Sequence, residues 1–571
     1  MAPAVTNAEI AAAFEEIADI LDLKADNPFK IRAYRRAAQL IGSYEKPMAE
    51  VERLEDLPGI GKELAEKIRI LVRGEPLPTL EKLRSEVSPG LLELLRVRGL
   101  GPKRVKELHE KLGIKNLADL EKALAERRVE KLRGFGQKLA EEMGKGIAAH
   151  KQHRERTRLD LARTEAAAIV AHLKEAKGVE RIEPAGSLRR WLETVGDLDI
   201  LVTGRESGPV MERFVGYPKV KEVLAHGDTK SSVVLKSGLQ VDLRFFQPES
   251  FGAGLYYFTG SKDHNIAIRK LAKAEGWKVS EYGVFKGSRR LAGKTEEEIF
   301  KLFGLAFIPP ELREDRGEIE AARKKKLPRL IELEDIKGDL QVHSQASDGR
   351  NSLAELAEKA KSLGYIYLGV TDHSPSQRQA NGLTPERMKK HIAEIRKLNQ
   401  RLKGFTLLAG AEVDILKDGG LDYPEPLLKQ LDLVLGAIHA HFNLSAAEQT
   451  QRVVKALVSG RVHVLSHPST RLLGERDGIE LDWEPIVKAC LKHNVAVEIN
   501  ASPHRLDVNG ERARALKEAG VKLAISTDAH SLSSMNEMIY GVYTARRGWV
   551  EAQDVINTWP TEKLLKWLKR S

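Results

Sequence analysis

Residues 185–202 read AGSLRRWLETVGDLDILV, and each part of the stretch has a separate chemical use. The Gly186-Ser187 turn followed by Arg189 and Arg190 offers backbone amides, a hydroxyl and guanidinium forks, the donors a polyphosphate requires. Asp197 and Asp199 follow one residue apart. The LDILV pattern predicts a strand, on which side chains two apart share a face, so both carboxylates reach one pair of divalent cations. Downstream, LQVDLRFF places Asp242 in a second β-like run that an adjacent strand would bring beside them. Three carboxylates on neighbouring strands, next to a Gly-Ser-Arg cradle, are the components of two-metal phosphoryl transfer at a nucleoside triphosphate. A solvated DLD pair at the end of a surface strand lacks the cradle and the third acid.

Composition agrees with a nucleic-acid enzyme without identifying one. The 571 residues suffice for several domains, and 42% hydrophobic with 31% charged residues is globular composition. A net charge of +11 favours a polyanionic partner. The excess is spread along the chain, with 61 basic against 54 acidic residues up to position 335 and 32 against 28 beyond it. Cys490 is the only cysteine, which excludes a disulfide framework and suits a reducing cytoplasm, at the nucleoid for a DNA enzyme. No apolar run approaches 18 residues, and Glu9, Glu15 and Glu16 interrupt the alanine-rich N-terminus, so neither a membrane span nor a signal peptide is expected.

A short motif recurs in the first 150 residues as LPGIG (57–61), VRGLG (97–101) and LRGFG (132–136), each between helical patterns. This is a helix-hairpin-helix arrangement. Its glycines Gly59, Gly61, Gly99, Gly101, Gly134 and Gly136 allow close backbone approach, and the amides opening each second helix suit a DNA phosphate without reading sequence. On the helix after LPGIG, Lys67 borders the apolar stripe of Leu64, Ile68 and Leu71. Partial desolvation would lower its pKa, as a Schiff-base nucleophile requires. Upstream, NPFKIRAYRRAA sets Lys30, Tyr34 and Arg35 on one helix as a 5′-phosphate pocket.

Residues 318–335, EIEAARKKKLPRLIELED, have the composition of a linker, and beyond residue 336 lie ten of the 16 histidines. Several sit beside acids at the ends of short hydrophobic runs, GDLQVHSQASDG, YLGVTDHS, LLAGAEVDI, LVLGAIHAHF, HVLSHP, VAVEINAS and AISTDAH, with helical segments between. Strands alternating with helices predict a parallel β/α barrel with its site at the strands' carboxyl ends. Imidazole mixed with carboxylate suits manganese, zinc or iron.

The palm motif and the segment YFTGSKDHNIAIR (257–269) resemble the family X DNA polymerases. The resemblance implies a nucleotidyltransferase palm in which Gly186, Ser187, Arg190 and Gly196 hold the triphosphate. Asp197, Asp199 and Asp242 would carry two Mg²⁺ or Mn²⁺ ions, Asp242 also receiving the primer hydroxyl's proton. Tyr257, Phe258 and Gly260 would border the sugar, and Asn265 and Arg269 the minor-groove side of the nascent pair. Gln240 departs from the arginine of eukaryotic relatives. The N-terminal segment resembles their lyase domain, in which Lys67 would attack the deoxyribose phosphate, although Glu63 replaces a second lysine. The histidine-rich half resembles the PHP domain, a metal-dependent phosphoesterase with a seven-stranded barrel. By position its ligands would be His343, Asp348, His373, Glu412, His439, His467, Asp528 and His530, holding up to three Mn²⁺ or Zn²⁺ ions with Glu412 bridging two. Gln341 stands where the family motif has a ninth ligand, a histidine. His441, Asp372 and Arg471 are further candidates for substrate phosphate.

The expected organisation is therefore a multidomain α/β chain: a lyase-like helical domain (1–88), helix-hairpin-helix fingers (89–160), the palm with a mixed sheet (161–250), an α/β thumb (251–317), the linker (318–335) and the PHP barrel (336–571). The expected activity is template-directed filling of short gaps in base-excision or break repair, with a manganese-dependent 3′–5′ exonuclease. The partners are gapped or primer-template DNA and deoxynucleoside triphosphates, with no membrane, and the chain acting as a monomer. A phosphoesterase whose N-terminal half only docks DNA, or a repair scaffold without catalysis, are the competing readings. The three palm acids argue against the first and two metal constellations against the second.

Overall fold

The computed structural model describes residues 7–569, apart from 25, 43, 45–47, 74, 76, 96–99, 133, 138, 142, 145, 146 and 148–155. The chain divides into two compact units, residues 1–155 and 156–571. The first is helical. Helices Asn7–Leu23 and Pro28–Gly42 pack through Ile10, Phe14, Ile17 and Leu21 against Tyr34, Ala38 and Ile41, a stripe at helical spacing. In the first hairpin Gly59 has φ +81°, a left-handed conformation that favours glycine, and Gly61 caps helix Lys62–Val72. Gly101 likewise caps Pro102–Leu112, with Pro102 in the first turn, where its missing N–H costs nothing. Gly134 turns at φ +90°, while Gly99 lies outside the described residues.

The second unit opens with β1 (Thr157–Arg158), β2 (Val179–Pro184), β3 (Thr194–Val195), β4 (Asp197–Gly204), β5 (Val220–His226), β6 (Lys230–Leu235) and β7 (Gln240–Phe246). β1 pairs with β3, so residues from Arg156 onward fold with the palm, five residues earlier than the expected boundary at 161. The main sheet has the order β2-β4-β7-β6-β5 and is mixed, since β4 and β7 run parallel while the other pairs are antiparallel. Strand alternation sorts β4. Leu198, Ile200 and Val202 join the core with helix Leu159–Lys174, whereas Leu201, on the opposite face with Asp197 and Asp199, packs with Phe246, Phe251 and Leu255.

Helices Phe251–Thr259 and Lys262–Ala274, the antiparallel strands β8 (Lys278–Ser280), β9 (Gly283–Lys286) and β10 (Arg289–Ala292), and helix Glu296–Leu302 form the thumb. The segment expected to be a linker is instead packed structure. It forms helix Glu318–Arg323, whose Glu318 is fully buried and meets the equally buried His264 at 2.7 Å, and Leu330 bridges to Glu551. Its charge-rich composition misled because Glu318 is satisfied by an imidazole and by the amides of Asp315 and Arg316.

The barrel consists of β11 (Gly338–Val342), β12 (Tyr367–Val370), β13 (Thr406–Asp414), β14 (Leu433–Ala437), β15 (Val464–Leu465), β16 (Ala496–Asn500) and β17 (Leu523–Ser526). All seven are parallel and neighbour one another in chain order, and a Val342–Ala529 bridge brings the last segment back to the first. Palm and barrel meet through a bidentate Arg471–Glu193 pair and the stacking of Trp191 on Tyr543, centroids 3.6 Å apart at 12°.

Glu318→Ala should lower the unfolding free energy by about 2 kcal/mol, because it leaves the His264 imidazole buried without its partner. Urea denaturation of the full chain measures this, and an unchanged midpoint would mean that the segment is a dispensable linker.

Candidate metal and nucleotide centres

In the palm, the parallel register sets Asp199 directly opposite Asp242, with Asp197 opposite Gln240. The acids separated by some forty residues therefore share one face. Burial, followed by the charges of Asp197 and Asp242, pushes the Asp199 carboxyl up to about 7. Asp242 goes the other way. Burial opposes its ionisation, but Lys230 Nζ at 2.9 Å from Oδ2, Gln240 Nε2 donating to Oδ1 at 3.1 Å and Ser232 hold it below the usual carboxylate range. Arg244 adds a second cation 3.6 Å away. Sequence reasoning missed Lys230 and Arg244, which the β6–β7 register places opposite each other. Arg244, two residues after Asp242 on the same strand face, was the available signal, whereas Lys230 comes from the neighbouring strand.

Beside these acids lies a cavity of about 400 Å³. It is lined by Gly186, Ser187, Arg190, Gly196, Asp197 and Asp199 on the palm side and by Tyr257, Phe258, Gly260, Asn265 and Arg269 from the thumb, which brings the expected nucleotide set together around one space. Arg156 and Lys262 also line it and were not anticipated. Gly186, at φ +62°, takes a left-handed conformation that favours glycine, and a Cβ there would come 2.8 Å from Asp199 Oδ2 and displace that carboxylate. The paired arginines differ in use. Arg189 is sequestered by Glu296 and Thr259, and Glu296 is held at about 2, burial opposing its ionisation but buried Arg313 and Arg189 outweighing it.

In the barrel, side chains at successive strand ends converge on Glu412. His467 Nε2 lies 2.7 Å and His439 Nε2 3.2 Å from Glu412 Oε1, with His373 Nδ1 3.0 Å and His343 Nε2 3.5 Å from Oε2. His343 Nε2 is also 3.1 Å from Asp528 Oδ1, and Asp348 Oδ2 lies 3.4 Å from His530 and 3.6 Å from His373. Three overlapping groups result, each with ligand atoms within 4.8 Å of one another: His343, Asp348, His373 and His530; His373, Glu412 and His439; His343, Glu412 and Asp528. His373 Nδ1 and Glu412 Oε2 face each other at 3.0 Å, both buried and neither with a hydrogen-bond partner. Facing donors of this kind fit shared cations better than a proton.

The protonation pattern agrees. Burial disfavours charge on His439 and His530, yet Glu412 with Asp414 raises the first to about 10, and Asp348 raises the second to about 9. His467 is lowered by burial and Arg505. Gln341 is buried. Its Oε1 accepts from Ser466 Oγ at 2.7 Å and its Nε2 donates to Asp528 Oδ1 at 3.3 Å, so it presents an N–H to this cluster rather than an oxygen. Ser466 Oγ also lies 2.7 Å from Glu498 Oε2, a buried carboxyl absent from the expected set that burial and Asp528 push well above its ordinary range.

The three phosphate candidates fare differently. Asp372 is saturated by Ser344, Ser347 and His391, and Arg471 is engaged by Glu193 and two backbone carbonyls, whereas His441 is exposed. In the helical unit, Lys67 is buried, ion-paired with Glu63 and near the Tyr34 ring. Burial favours the neutral amine, but Glu63 and the Tyr34 hydroxyl outweigh it and raise the pKa, the reverse of the expected lowering. Arg35 turns away to Asp19 and Asp22, leaving exposed Lys30 near Glu63.

Comparison with known proteins places these centres in context. Residues 5–75 match the helix-hairpin-helix domain and 91–146 the SAM-like helix-hairpin-helix tandem, 254–314 match the DNA polymerase beta thumb, and 339–502 the PHP domain. The chain is 39% identical over 567 residues, 99% of both chains, to the DNA polymerase/3′-5′ exonuclease PolX of Bacillus subtilis (strain 168). Over 209 residues, 35% of this chain and 80% of each relative, it is 32% identical to a probable phosphatase of Shewanella piezotolerans and 29% identical to the probable phosphatase YcdX of Escherichia coli (strain K12).

The Asp199 shift has a measurable consequence. Its folded pKa, about 7, lies above the ordinary carboxylate range near 3.8, so the contribution of this one group to the stability of the metal-free protein is fully present below about pH 4 and is lost as pH rises through 7. In EDTA, Asp199→Asn should therefore gain Tm over the parent as pH is raised from about 5 to 8, and saturating Mg²⁺ should narrow the gap. Calorimetry at several pH values tests this, and a gap independent of pH would contradict the shift.

Proposed function

Because the chain belongs to the family X DNA polymerases that carry a C-terminal PHP domain, we propose that it fills short gaps in DNA during repair and removes 3′ nucleotides at the barrel site. The observation that carries the first activity is the β4–β7 register, which sets Asp242 beside Asp197 and Asp199, the two carboxylates that line a cavity of about 400 Å³ together with Ser187, Arg190 and the thumb residues. Asp197, Asp199 and Asp242 would hold Mg²⁺ or Mn²⁺. Divalent cations held there would supply charge neutralisation of the triphosphate and of the oxygens at the α-phosphate. Asp242, kept ionised by Lys230 and Gln240, is the acceptor for the hydroxyl proton. Ser187 and Arg190 bind phosphate oxygens, Tyr257 and Phe258 border the sugar, and Asn265 and Arg269 line the base-pair edge.

In the barrel, the eight expected ligands would hold up to three Mn²⁺ or Zn²⁺ ions, with Glu412 shared. Gln341, turned by Ser466, orients Asp528 instead of ligating. The hairpin glycines at 59, 61, 101, 134 and 136 open helix amides toward DNA phosphates, giving contacts that carry no base information. Lys67, held protonated by Glu63, suits a 5′-phosphate better than Schiff-base attack, with Lys30 beside it.

Separate metals serve the two reactions. Asp199→Ala should reduce extension on a one-nucleotide gap by at least about 10³-fold while manganese-dependent 3′ nuclease activity persists, and His439→Ala should do the reverse. Rate assays on both substrates test this. Parallel loss of both activities in either variant, or neither, would overturn the assignment. Gln341→His should lower the manganese concentration needed for half-maximal nuclease rate, since it adds an imidazole to the cluster.

A further inference from the structure

Arg190, the guanidinium that lines the nucleotide cavity, is held by the thumb through the Thr259 carbonyl and Glu314 and, behind Glu314, by the barrel. Its Nε donates to Glu314 Oε1 at 3.0 Å. The same oxygen accepts from Arg547 Nη1 at 3.1 Å, and that nitrogen also donates to the Arg190 backbone carbonyl at 2.8 Å. Arg547 ends helix Met538–Arg547, which belongs to the barrel and packs on β16 and β17. Its side chain is 13% exposed. The stem is clamped by helix Gly510–Glu518, where a Cβ on Gly510 would come 2.8 Å from Arg547 Cβ. One turn before Arg547, Tyr543 stacks on Trp191, the residue after Arg190, which adopts φ +56°.

The charge arithmetic explains why two arginines are needed. Glu314 alone would fix Arg190 but cancel the charge a triphosphate requires. Two guanidinia on one carboxylate keep a net positive charge, and the second also fixes the backbone from which Arg190 extends. Pinning a long side chain before the ligand arrives removes the entropy it would lose on binding.

We infer that Arg547 is a positioning residue for the polymerase reaction: the barrel completes the nucleotide site through Arg547, Glu314 and Arg190, so that nucleotide affinity depends on a helix of the PHP half. The inference rests on reading the cavity as the triphosphate site.

The test uses the full chain on a one-nucleotide gap, with KM and kcat for the complementary deoxynucleoside triphosphate. Arg547→Met should raise KM on the order of tenfold with kcat within about twofold. Arg547→Lys should restore part of the loss, because an ammonium keeps the charge but not the planar guanidinium that aims Nη1 at both acceptors. Arg190→Ala should raise KM further, and the double variant Arg190→Ala/Arg547→Met should be no worse than Arg190→Ala alone. If Arg547→Met does not fold, Tyr543→Leu removes the stack on Trp191, together with the ring's contact to the Arg546 guanidinium, while leaving Arg547 in place, and should raise KM about threefold. Unchanged KM in the Arg547 and Tyr543 variants while Arg190→Ala raises it overturns the inference and leaves the nucleotide site standing. An additive double variant overturns it as well. Unchanged KM in Arg190→Ala removes the reading of the cavity, and the inference with it.

Discussion

Burying carboxylates side by side opposes folding, and this protein does so twice. In the palm, Asp199 lies opposite Asp242 on adjacent parallel strands and beside Asp197, and its carboxyl is forced up to about 7. In the barrel, Glu412 sits fully buried among four imidazoles, with Asp528 and Asp348 close by. Such sites persist where the scaffold over-determines them, and the cost is recovered when cations replace the protons. The remaining features, from Lys230 on Asp242 to the serine-glutamine-carboxyl chain behind Asp528, fix these groups in place.

The two centres answer the same constraint with different chemistry. The palm uses oxygen ligands on strand faces and leaves one side open to a cavity, which suits hard cations that share their coordination with a triphosphate. The barrel uses imidazole with carboxylate at strand ends, a softer set that suits manganese or zinc. Within the second unit the halves are joined by side chains that touch both: Arg471 of the barrel reaches Glu193 of the palm, and Trp191, next to a cavity arginine, rests on Tyr543. The PHP half is thus part of the frame that holds the palm.

Much of this was legible in the sequence because it follows from local period and register. Alternation along DLDILV put the two aspartates on one face, and LQVDLRFF supplied the neighbouring strand. The run of polar strand ends after residue 336 predicts a parallel β/α barrel and the PHP resemblance its seven strands, while their chain order around the barrel comes from the structure. What escaped depends on distant partners. The 318–335 stretch reads as a linker because nothing local shows that Glu318 meets His264 across the thumb. Lys67 reads as a lysine of lowered pKa until Glu63 and Tyr34 are seen around it. Arg189 and Arg190 are adjacent and alike in sequence, yet one is bound by Glu296 and the other lines the cavity. Asp372 reads as a candidate for substrate phosphate until its serine and histidine partners are counted.

The central claim is that both buried clusters exist to hold divalent cations, the palm through Asp197, Asp199 and Asp242 and the barrel through ions that share Glu412. Crystals soaked in manganese and measured at the manganese absorption edge test it most directly. The account predicts anomalous peaks at both clusters, with at least two in the barrel lying within about 2.5 Å of Glu412 oxygens. Peaks confined to one cluster, or barrel ions that leave Glu412 uncoordinated, would contradict it.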